Sequence, residues 1–330
     1  MSDEYLEFTA YLGERQRHEG RFVSDELMRR CADPAVTVAI TLRGAVGFGP
    51  RHDVRSDVSL SGSEDLPVTI SAVGPPPGIE ALAGRAAELV SRGLVTLDRA
   101  STHEAEVPGD TVEVTVHLTR GHPTAYRSMC GLLHANGFDC ATAFLGVDGA
   151  VDGERKRARF FGTNAGVPVA VVAVGPVARL PGVLADCSPR LVTVRPVDVC
   201  KRKGTVFGAP RLPESGGWHK LTVYTSETDL IEGEPIHRAL VRALRATAGR
   251  GVTVRRGVWG FHGDERPHGD KLVQLGRHVP VVTTVIDTPD QLADHFAVID
   301  ELTPSVGVVT VAPLAAAVSI DGATREGTLG

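Results

Sequence analysis

The chain has 330 residues, enough for two or three domains of about 100 residues each. Charged residues make up 23%, apolar residues make up 42%, and the formal net charge is −5, so the composition excludes a nucleic-acid binder that relies on bulk positive charge. The five cysteines form no Cys-x-x-Cys pair, which argues against a disulfide framework or a structural zinc site and favours a reducing cytoplasm. Residues 1–7 lack the apolar core of a signal peptide, and no apolar stretch is long enough to span a bilayer. We therefore expect a cytoplasmic protein that is not embedded in a membrane.

Residues 1–100 predict the order strand, helix, strand, long loop, strand, helix, strand. The long loop is Gly49–Asp65, which contains glycine and many polar residues. The run Gly74–Gly78 contains three prolines, which have no N–H to offer a phosphate, so it predicts a turn and a helix start. The expected strands and helices are Leu6–Leu12, Asp25–Cys31 (helix), Val36–Leu42, Pro67–Val73, Ile79–Ser91 (helix) and Leu94–Leu97.

Residues 111–199 resemble this first copy weakly. A strand is predicted over Val112–Leu118, a helix over Thr124–Ala135 and a second strand over Cys140–Leu145. Later segments repeat the pattern as an apolar run, Val167–Val174, and a closing strand, Leu191–Val194. This middle copy has lost residues around its first loop and helix, and it has Leu145 where the other copies have Arg43 and Arg256.

Residues 217–315 repeat the first copy clearly. Thr41–Phe48 returns as Val254–Phe261, and the match keeps one offset from Thr9 and Thr222 onward, which indicates one fold unit used repeatedly. The predicted elements are Leu221–Thr225, Ile236–Ala246 (helix), Val252–Arg255, the loop His262–His278, Val281–Ile286, a helix with Thr288 as N-cap, and Val308–Val311. Residues 101–110 and 200–217 are interpreted as polar surface linkers. Residues 316–330 are interpreted as a tail, frayed over Ser319–Gly330.

The order βαββαβ in about 90 residues predicts the α+β, ferredoxin-like plan, in which two helices cover one face of a four-stranded antiparallel sheet. The other sheet face would then be open, and a strand with one wet face alternates apolar and polar residues. Val167–Val174 is apolar throughout, however, and Val281–Ile286 nearly so, which predicts cover on both faces. We therefore expect the three tandem units to bury their open faces against one another as an intrachain pseudo-trimer.

The combination of these units with a set of short motifs resembles the PII-like superfamily, which includes the nitrogen-regulatory PII proteins and the divalent-ion-tolerance CutA proteins. The likeness is greatest to a PII-like family known as a domain of unknown function. Copies one and three carry the resemblance well and copy two weakly: His262 replaces a glycine in copy three, and Gln16 replaces an aspartate in copy one. The motifs are Glu227-Thr228-Asp229, Gly233-Glu234-Pro235, Arg43-Gly44-Ala45-Val46-Gly47-Phe48-Gly49 and Asp65-Leu66-Pro67-Val68.

The resemblance implies a non-catalytic regulatory protein. It implies that small effectors, often adenine nucleotides, bind in clefts between units, and that long loops then dock on a protein target such as a transporter or an enzyme. The chain departs from PII proteins in one respect. The basic, glycine-rich loop that grips phosphates in PII proteins would fall at residues 90–93, 187–190 or 303–306, and none of these segments is lysine-rich or long enough.

The candidate ligand-binding residues surround two repeated arginines, Arg43 and Arg256. A guanidinium offers a planar fork to phosphate or carboxylate, and glycine lets backbone N–H groups approach an anion. The alternative is that each arginine pairs with a glutamate to fix a strand end, with the glycines required by turn geometry. The candidate residues are Glu14, Arg43, Gly44, Gly47, Phe48, Gly49, Glu227, Asp229, Arg256, Gly257, Gly260 and Phe261.

Other segments support weaker hypotheses. His262–Glu265, His268–Asp270 and His52-Asp53 could bind a divalent ion, although no spacing matches a structural zinc site. Arg155-Lys156-Arg157 could dock an acidic partner or form an ordinary solvated charge run. No Gly-x-Ser-x-Gly elbow or Walker loop is present, so we expect no enzyme activity. The alternative functions are a metal-ion or small-anion binding protein of the CutA type and a structural adaptor without a ligand.

Overall fold

The computed structural model describes residues 4–57, 65–120, 124–159, 164–185, 187–210, 212, 217–247, 249–269 and 278–329. The two predicted long loops, 49–65 and 262–278, therefore lie partly outside the described residues. The described part is a mixed α/β structure with six α-helices and predominantly antiparallel strands. None of its helices combines the length and apolar character needed to cross a membrane.

Unit one contains four principal strands in the sheet order β2-β3-β1-β4, all antiparallel to their neighbours. The second helix begins at Pro76, as the proline run predicted, because proline at the first helical turn has no N–H to leave unsatisfied. The elements are β1 (Glu4–Gly13), α1 (Val23–Cys31), β2 (Val38–Arg43), β3 (Pro67–Gly74), α2 (Pro76–Leu89) and β4 (Arg92–Thr102).

Unit two has the corresponding order β6-β7-β5-β8. Its second helix is short, because a 3₁₀ turn over Val177–Arg179 precedes only five α-helical residues. The elements are β5 (Thr111–Thr119), α3 (Ala125–Ala135), β6 (Cys140–Leu145), β7 (Pro168–Pro176), α4 (Leu180–Leu184) and β8 (Leu191–Pro196).

Unit three has the order β10-β11-β9-β12. Thr288 is the N-cap residue of the last helix, as predicted, but its side chain makes no capping bond. Its backbone N–H instead donates to Asp287 Oδ1 at 2.9 Å. The elements are β9 (His219–Ser226), α5 (Ile236–Ala246), β10 (Val252–Arg256), β11 (Pro280–Asp287), α6 (Pro289–Leu302) and β12 (Val308–Pro313).

In each unit, a short strand follows the second principal strand and pairs with a strand of another unit. Val46–Phe48 of unit one pairs with β10 of unit three. Trp259–His262 of unit three pairs with β6 of unit two, and Asp148–Val151 of unit two pairs with β2 of unit one. The exchange therefore passes through all three units and returns to its start.

A second exchange follows the last strand of each unit. The end of β4 pairs with β8, Asp198–Arg202 pairs with β12, and Ala316–Asp321 pairs with β4. The segment 200–217, expected as a surface linker, thus begins inside a strand. Lys201 is 1% exposed there, and its Nζ donates to the carbonyl oxygen of Asp300 at 2.8 Å.

The prediction of a frayed tail over Ser319–Gly330 was wrong. Ala316–Asp321 and Thr324–Thr328 form an antiparallel hairpin, called here the C-terminal hairpin, beside β4. Val318 and Ile320 are buried in the core of unit one, and the hairpin covers what would otherwise be an exposed sheet edge. Apolar burial and strand pairing therefore order a segment that is polar over much of its length.

Each unit has an apolar core between its sheet and its helices. A further buried cluster joins the opposite sheet faces of all three units and includes Ile40, Phe144 and Tyr224. The apolar strands Val167–Val174 and Val281–Ile286 therefore have buried residues on both faces, as their composition predicted.

Candidate functional site

The two repeated arginines both pair with the predicted glutamates. Arg43 Nε donates to Glu14 Oε1 at 2.9 Å, and the Arg43 side chain is 57% exposed. Arg256 binds Glu227 with two hydrogen bonds, Nε to Oε2 at 2.6 Å and Nη2 to Oε1 at 3.1 Å, and it also donates to Asp57 of unit one. The side chain of Arg256 is only 12% exposed. This arginine therefore joins two units, whereas Arg43 lies at the surface.

The glycines after these arginines use their N–H groups within the fold. Gly44 N–H donates to the carbonyl oxygen of Pro67 at 2.7 Å, and Gly257 N–H donates to that of Pro280 at 2.8 Å. An added Cβ at Gly257 would lie 2.5 Å from Thr142 Cγ2 of unit two. These contacts favour the assembly interpretation of the Arg-Gly pairs over direct anion contact by their N–H groups.

The glycines of the repeated Gly-Phe pairs allow the strand exchange. An added Cβ would lie 2.5 Å from the carbonyl oxygen of Val252 at Gly47 and 2.0 Å from that of Ala141 at Gly260. The φ angle of Gly260 is +153°, which disfavours a side chain in addition. The phenylalanines that follow are buried in cores of other units, Phe48 in unit three and Phe261 in unit two.

The aspartate position of the Glu-x-Asp motif after the first strand is occupied by Asp229 in unit three and by Gln16 in unit one. Asp229 Oδ2 accepts from the backbone N–H of Ser226 at 2.7 Å and lies 2.9 Å from His262 Nε2. Burial opposes protonation of His262, but the hydrogen bond and charge of Asp229 outweigh it and raise the pKa of His262. In unit one, Gln16 Oε1 accepts from the N–H of Ser91 at 2.8 Å and so holds the turn before β4.

A cleft, called here the 1–3 cleft, lies between units one and three. Gly47, Phe48 and Gly49 form part of its wall, and an added Cβ at Gly49 would meet no atom within 4 Å. Apolar side chains line its floor, including Tyr11 and Ile286. Four arginines surround it: Arg51, Arg55, Arg92 and Arg250. The arrangement combines an apolar lining with guanidinium groups, which suits a ligand with one apolar part and one anionic part.

Carboxylates of the C-terminal hairpin occupy three of these arginines. Asp321 lies 2.9 Å from Arg51 Nε and 3.5 Å from Arg92 Nε. Glu326 Oε2 accepts from Arg250 Nε at 2.9 Å, and Arg250 also pairs with buried Asp287 of β11. The side chains of Asp321 and Glu326 are 29% and 55% exposed. The hairpin therefore places two carboxylates against the guanidinium groups of the 1–3 cleft.

A second polar centre lies where the inner sheet faces meet. This junction cluster contains three carboxylates and two cations from all three units. Lys220 Nζ lies 2.9 Å from Asp98 Oδ2 and 3.5 Å from Glu113 Oε1, and Arg195 Nε lies 3.3 Å from Glu113 Oε1. Arg195 also contacts Asp98 and Glu7. Burial raises the pKa of Glu113, but the charges of Lys220 and Arg195 and a hydrogen bond from Tyr224 lower it to about 2 overall.

The sequence predicted Gly47, Phe48 and Gly49 but not the arginines of the 1–3 cleft or the junction cluster. Glu7 and Lys220 precede Thr9 and Thr222 of the repeat by two residues each, so aligned copies put opposite charges at one strand position. That substitution, inside a buried strand, was the available signal for the junction cluster. The cleft arginines carry no repeated pattern that could have been found.

Two comparisons with known proteins bear on identity. The family model of DUF190, described as an uncharacterized ACR, matches residues 5–102 and 218–316, which are units one and three. A UPF0166 protein of Aquifex aeolicus (strain VF5) is 31% identical over 72 residues, which is 22% of this chain and 69% of that protein. The matched spans cover the repeated Arg-Gly and Gly-Phe motifs that predicted the relationship. The chain therefore belongs to the DUF190 family, a PII-like domain family of unknown function, and carries it in tandem copies.

Proposed function

We propose that this protein is a non-catalytic, cytoplasmic PII-like regulator that binds a small anionic effector in the 1–3 cleft and signals to a protein partner through its long loops. The observation that carries the proposal is the grouping of Arg51, Arg92 and Arg250 around a cleft whose wall is Gly47–Gly49. An adenine nucleotide fits this chemistry, because it joins an aromatic base, whose ring face can lie on apolar side chains, to several negative charges.

The architecture proposed with this function is an intrachain pseudo-trimer of ferredoxin-like units. Each unit has the strand order second, third, first, fourth, with alternating directions. Both strand exchanges connect the three units cyclically. In such an arrangement every cleft between units is built from one chain, so one molecule can present three clefts with different side chains.

Effector binding would displace the hairpin carboxylates. Asp321 and Glu326 neutralise Arg51, Arg92 and Arg250, and an incoming phosphate would take over these hydrogen bonds. Arg51 lies on the segment that leads from Phe48 into the first long loop. Binding at Arg51 would therefore change the start of that loop, which gives the effector a physical route to the partner surface.

Side chains that could suggest catalysis are engaged structurally. His295 Nε2 lies 3.1 Å from Asp287 Oδ2, and its Nδ1 lies 3.1 Å from Thr247 Oγ1, a geometry that superficially resembles a catalytic triad. Thr247 Oγ1 also donates to the carbonyl oxygen of Leu244 at the end of α5, and both His295 and Asp287 are fully buried. This group ties α5, β11 and α6 together, which supports a non-catalytic protein.

Isothermal titration with ATP, ADP and inorganic phosphate tests the proposal. The double variant Arg51→Gln/Arg92→Gln removes two charge-assisted contacts and should weaken ATP binding by on the order of tenfold or more. Arg85→Gln is the matched control, because Arg85 pairs with Glu88 on the solvent side of α2 at 66% exposure. ATP should also protect the long loops from limited proteolysis. Absence of binding for all three probes, or equal binding by the double variant, would contradict the proposal.

A further inference from the structure

Two imidazoles and a carboxylate lie close together at the base of the long loop of unit three. None of these three residues lines the 1–3 cleft. Glu265, His268 and His278 each offer a ligand atom, and these atoms lie within 4.8 Å of one another. Imidazole nitrogen and carboxylate oxygen are the donor set that zinc and related ions use in three-ligand sites. These three residues are called here the loop-base cluster.

The orientation of His268 suits a metal ligand. Its Nδ1 lies 3.0 Å from the carbonyl oxygen of Arg266, and a carbonyl only accepts, so Nδ1 carries the proton and donates. The lone pair is then on Nε2, which is buried and has no hydrogen-bond partner within the described residues. Ligating histidines are commonly fixed in this way by a hydrogen bond from the other ring nitrogen. A bound cation would satisfy a buried acceptor that the fold leaves unused.

The two imidazoles also lie against each other. The rings of His268 and His278 stack with their centroids 3.8 Å apart, so both histidines offer ring nitrogens to the same small region.

Paired backbone positions the two histidines. His268–Gly269 pairs with Trp259-Gly260, the strand that unit three lends to unit two. His278 lies just before β11, where the carbonyl oxygen of Val279 accepts the N–H of Glu227 at 2.9 Å. Sites built on such paired backbone are more precise than sites on free loops. The cluster thus brings together His268 and His278, which are ten positions apart in the sequence.

We propose that Glu265, His268 and His278 form a three-ligand site for a divalent transition-metal ion of the zinc class, with water in the fourth position. Tetrahedral coordination would separate the two stacked rings. His262, which the sequence suggested as a ligand, is outside the site because it is held by Asp229. His52 is likewise engaged, since its Nε2 donates to the carbonyl oxygen of Gly249 at 2.8 Å.

Titration of the metal-free full-length chain with Zn²⁺ tests this site, and Co²⁺ absorption reports its geometry. The wild type should bind one Zn²⁺ in this cluster and give the intense visible band of tetrahedral Co²⁺. His278→Ala and Glu265→Gln should each weaken Zn²⁺ binding by on the order of tenfold or more. His18→Ala is the matched control, because His18 is an exposed histidine of unit one, and it should bind Zn²⁺ as the wild type does.

The folding control is the thermal midpoint in chelator, which should be the same for Glu265→Gln and the wild type. Addition of Zn²⁺ should raise the midpoint of the wild type and leave that of His278→Ala nearly unchanged. Wild-type binding that survives His278→Ala unchanged, or no Zn²⁺ binding by the wild type, would overturn the site. Neither result depends on ATP, so this inference stands or falls separately from the proposed effector cleft.

Discussion

Removal of Arg195 tests whether the junction cluster holds the three units together. Arg195 of β8 is 4% exposed and contacts Glu7 and Asp98 of unit one as well as Glu113 of its own unit. In Arg195→Ala, the buried carboxylates of Asp98 and Glu113 and the partly buried carboxylate of Glu7 would share Lys220 as the remaining cation of the junction cluster. The variant therefore leaves excess negative charge in a region shielded from water.

The expected loss of stability follows from this burial. Removing one partner of a buried ion pair destabilises a protein by about 3–5 kcal/mol, because the charge left behind is neither hydrated nor paired. Typical unfolding free energies are about 5–15 kcal/mol, so the loss would be a large fraction of the total. Arg99→Ala is the matched control: Arg99 lies next to Asp98 on β4 and pairs with Glu4 of β1, but these two side chains are 73% and 55% exposed. An exposed pair contributes only about 0–1 kcal/mol.

Urea unfolding followed by circular dichroism and by tryptophan fluorescence measures the difference between the two variants. A further variant, Arg195→Met, keeps most of the side-chain volume and removes the charge. If charge is the cause, Arg195→Met should be destabilised nearly as much as Arg195→Ala. A loss for Arg195→Ala no greater than that for Arg99→Ala would refute the reasoning, and rescue by methionine would assign the effect to packing instead.

Three further predictions concern other parts of the fold. Burial lowers the pKa of His237 to about 4 from 6.5, so the folded state disfavours its protonation. The free energy of unfolding should therefore be highest above pH 6.5 and fall by about 3 kcal/mol toward pH 4. The pH profile of the unfolding free energy should be flatter in His237→Gln. Gly47→Ala should lower the free energy of unfolding in urea by about 1–3 kcal/mol, because its Cβ would meet the Val252 carbonyl oxygen at 2.5 Å. The control Gly84→Ala, on a helix face with open space, should raise it by about 0.5–1 kcal/mol. Equal effects of the two substitutions would contradict the strand-exchange argument. Asp321→Asn should raise ATP affinity up to about fivefold in calorimetry by freeing Arg51 and Arg92, and unchanged affinity would show that the hairpin does not compete.

Much of the fold was predictable because local patterns and global packing agree. The repeat of Thr41–Phe48 as Val254–Phe261 identified one unit used more than once, and the fully apolar strand Val167–Val174 predicted cover on both faces. The two strand exchanges were not predictable. They depend on which unit lies beside Val46–Phe48 or Ala316–Asp321, and neither periodicity nor turn residues specify a neighbour that distant in sequence.

The candidate site was predictable only in part. Gly47 and Gly49 were predicted as ligand-binding residues; in the structure Gly47 permits close strand pairing, and both glycines line the 1–3 cleft. The arginines of the 1–3 cleft come from three separate segments, and Arg250 belongs to another unit than Arg51. Their convergence is a property of the packed units, so single-segment motifs carry no trace of it.

The charges of the junction cluster make the three modules non-interchangeable. Glu7, Glu113 and Lys220 occupy one register position, opposite Asp98, Arg195 and Ala312 respectively. Three copies of the first module alone would gather six carboxylates at the centre without a cation from these positions. In an assembly of identical subunits, the same residue type occupies this position in all three subunits. In a single chain with three modules, the residue at each of the three equivalent positions can differ. Covalent fusion thus allows an asymmetric distribution of charge in the interior, and that asymmetry specifies which module lies beside which.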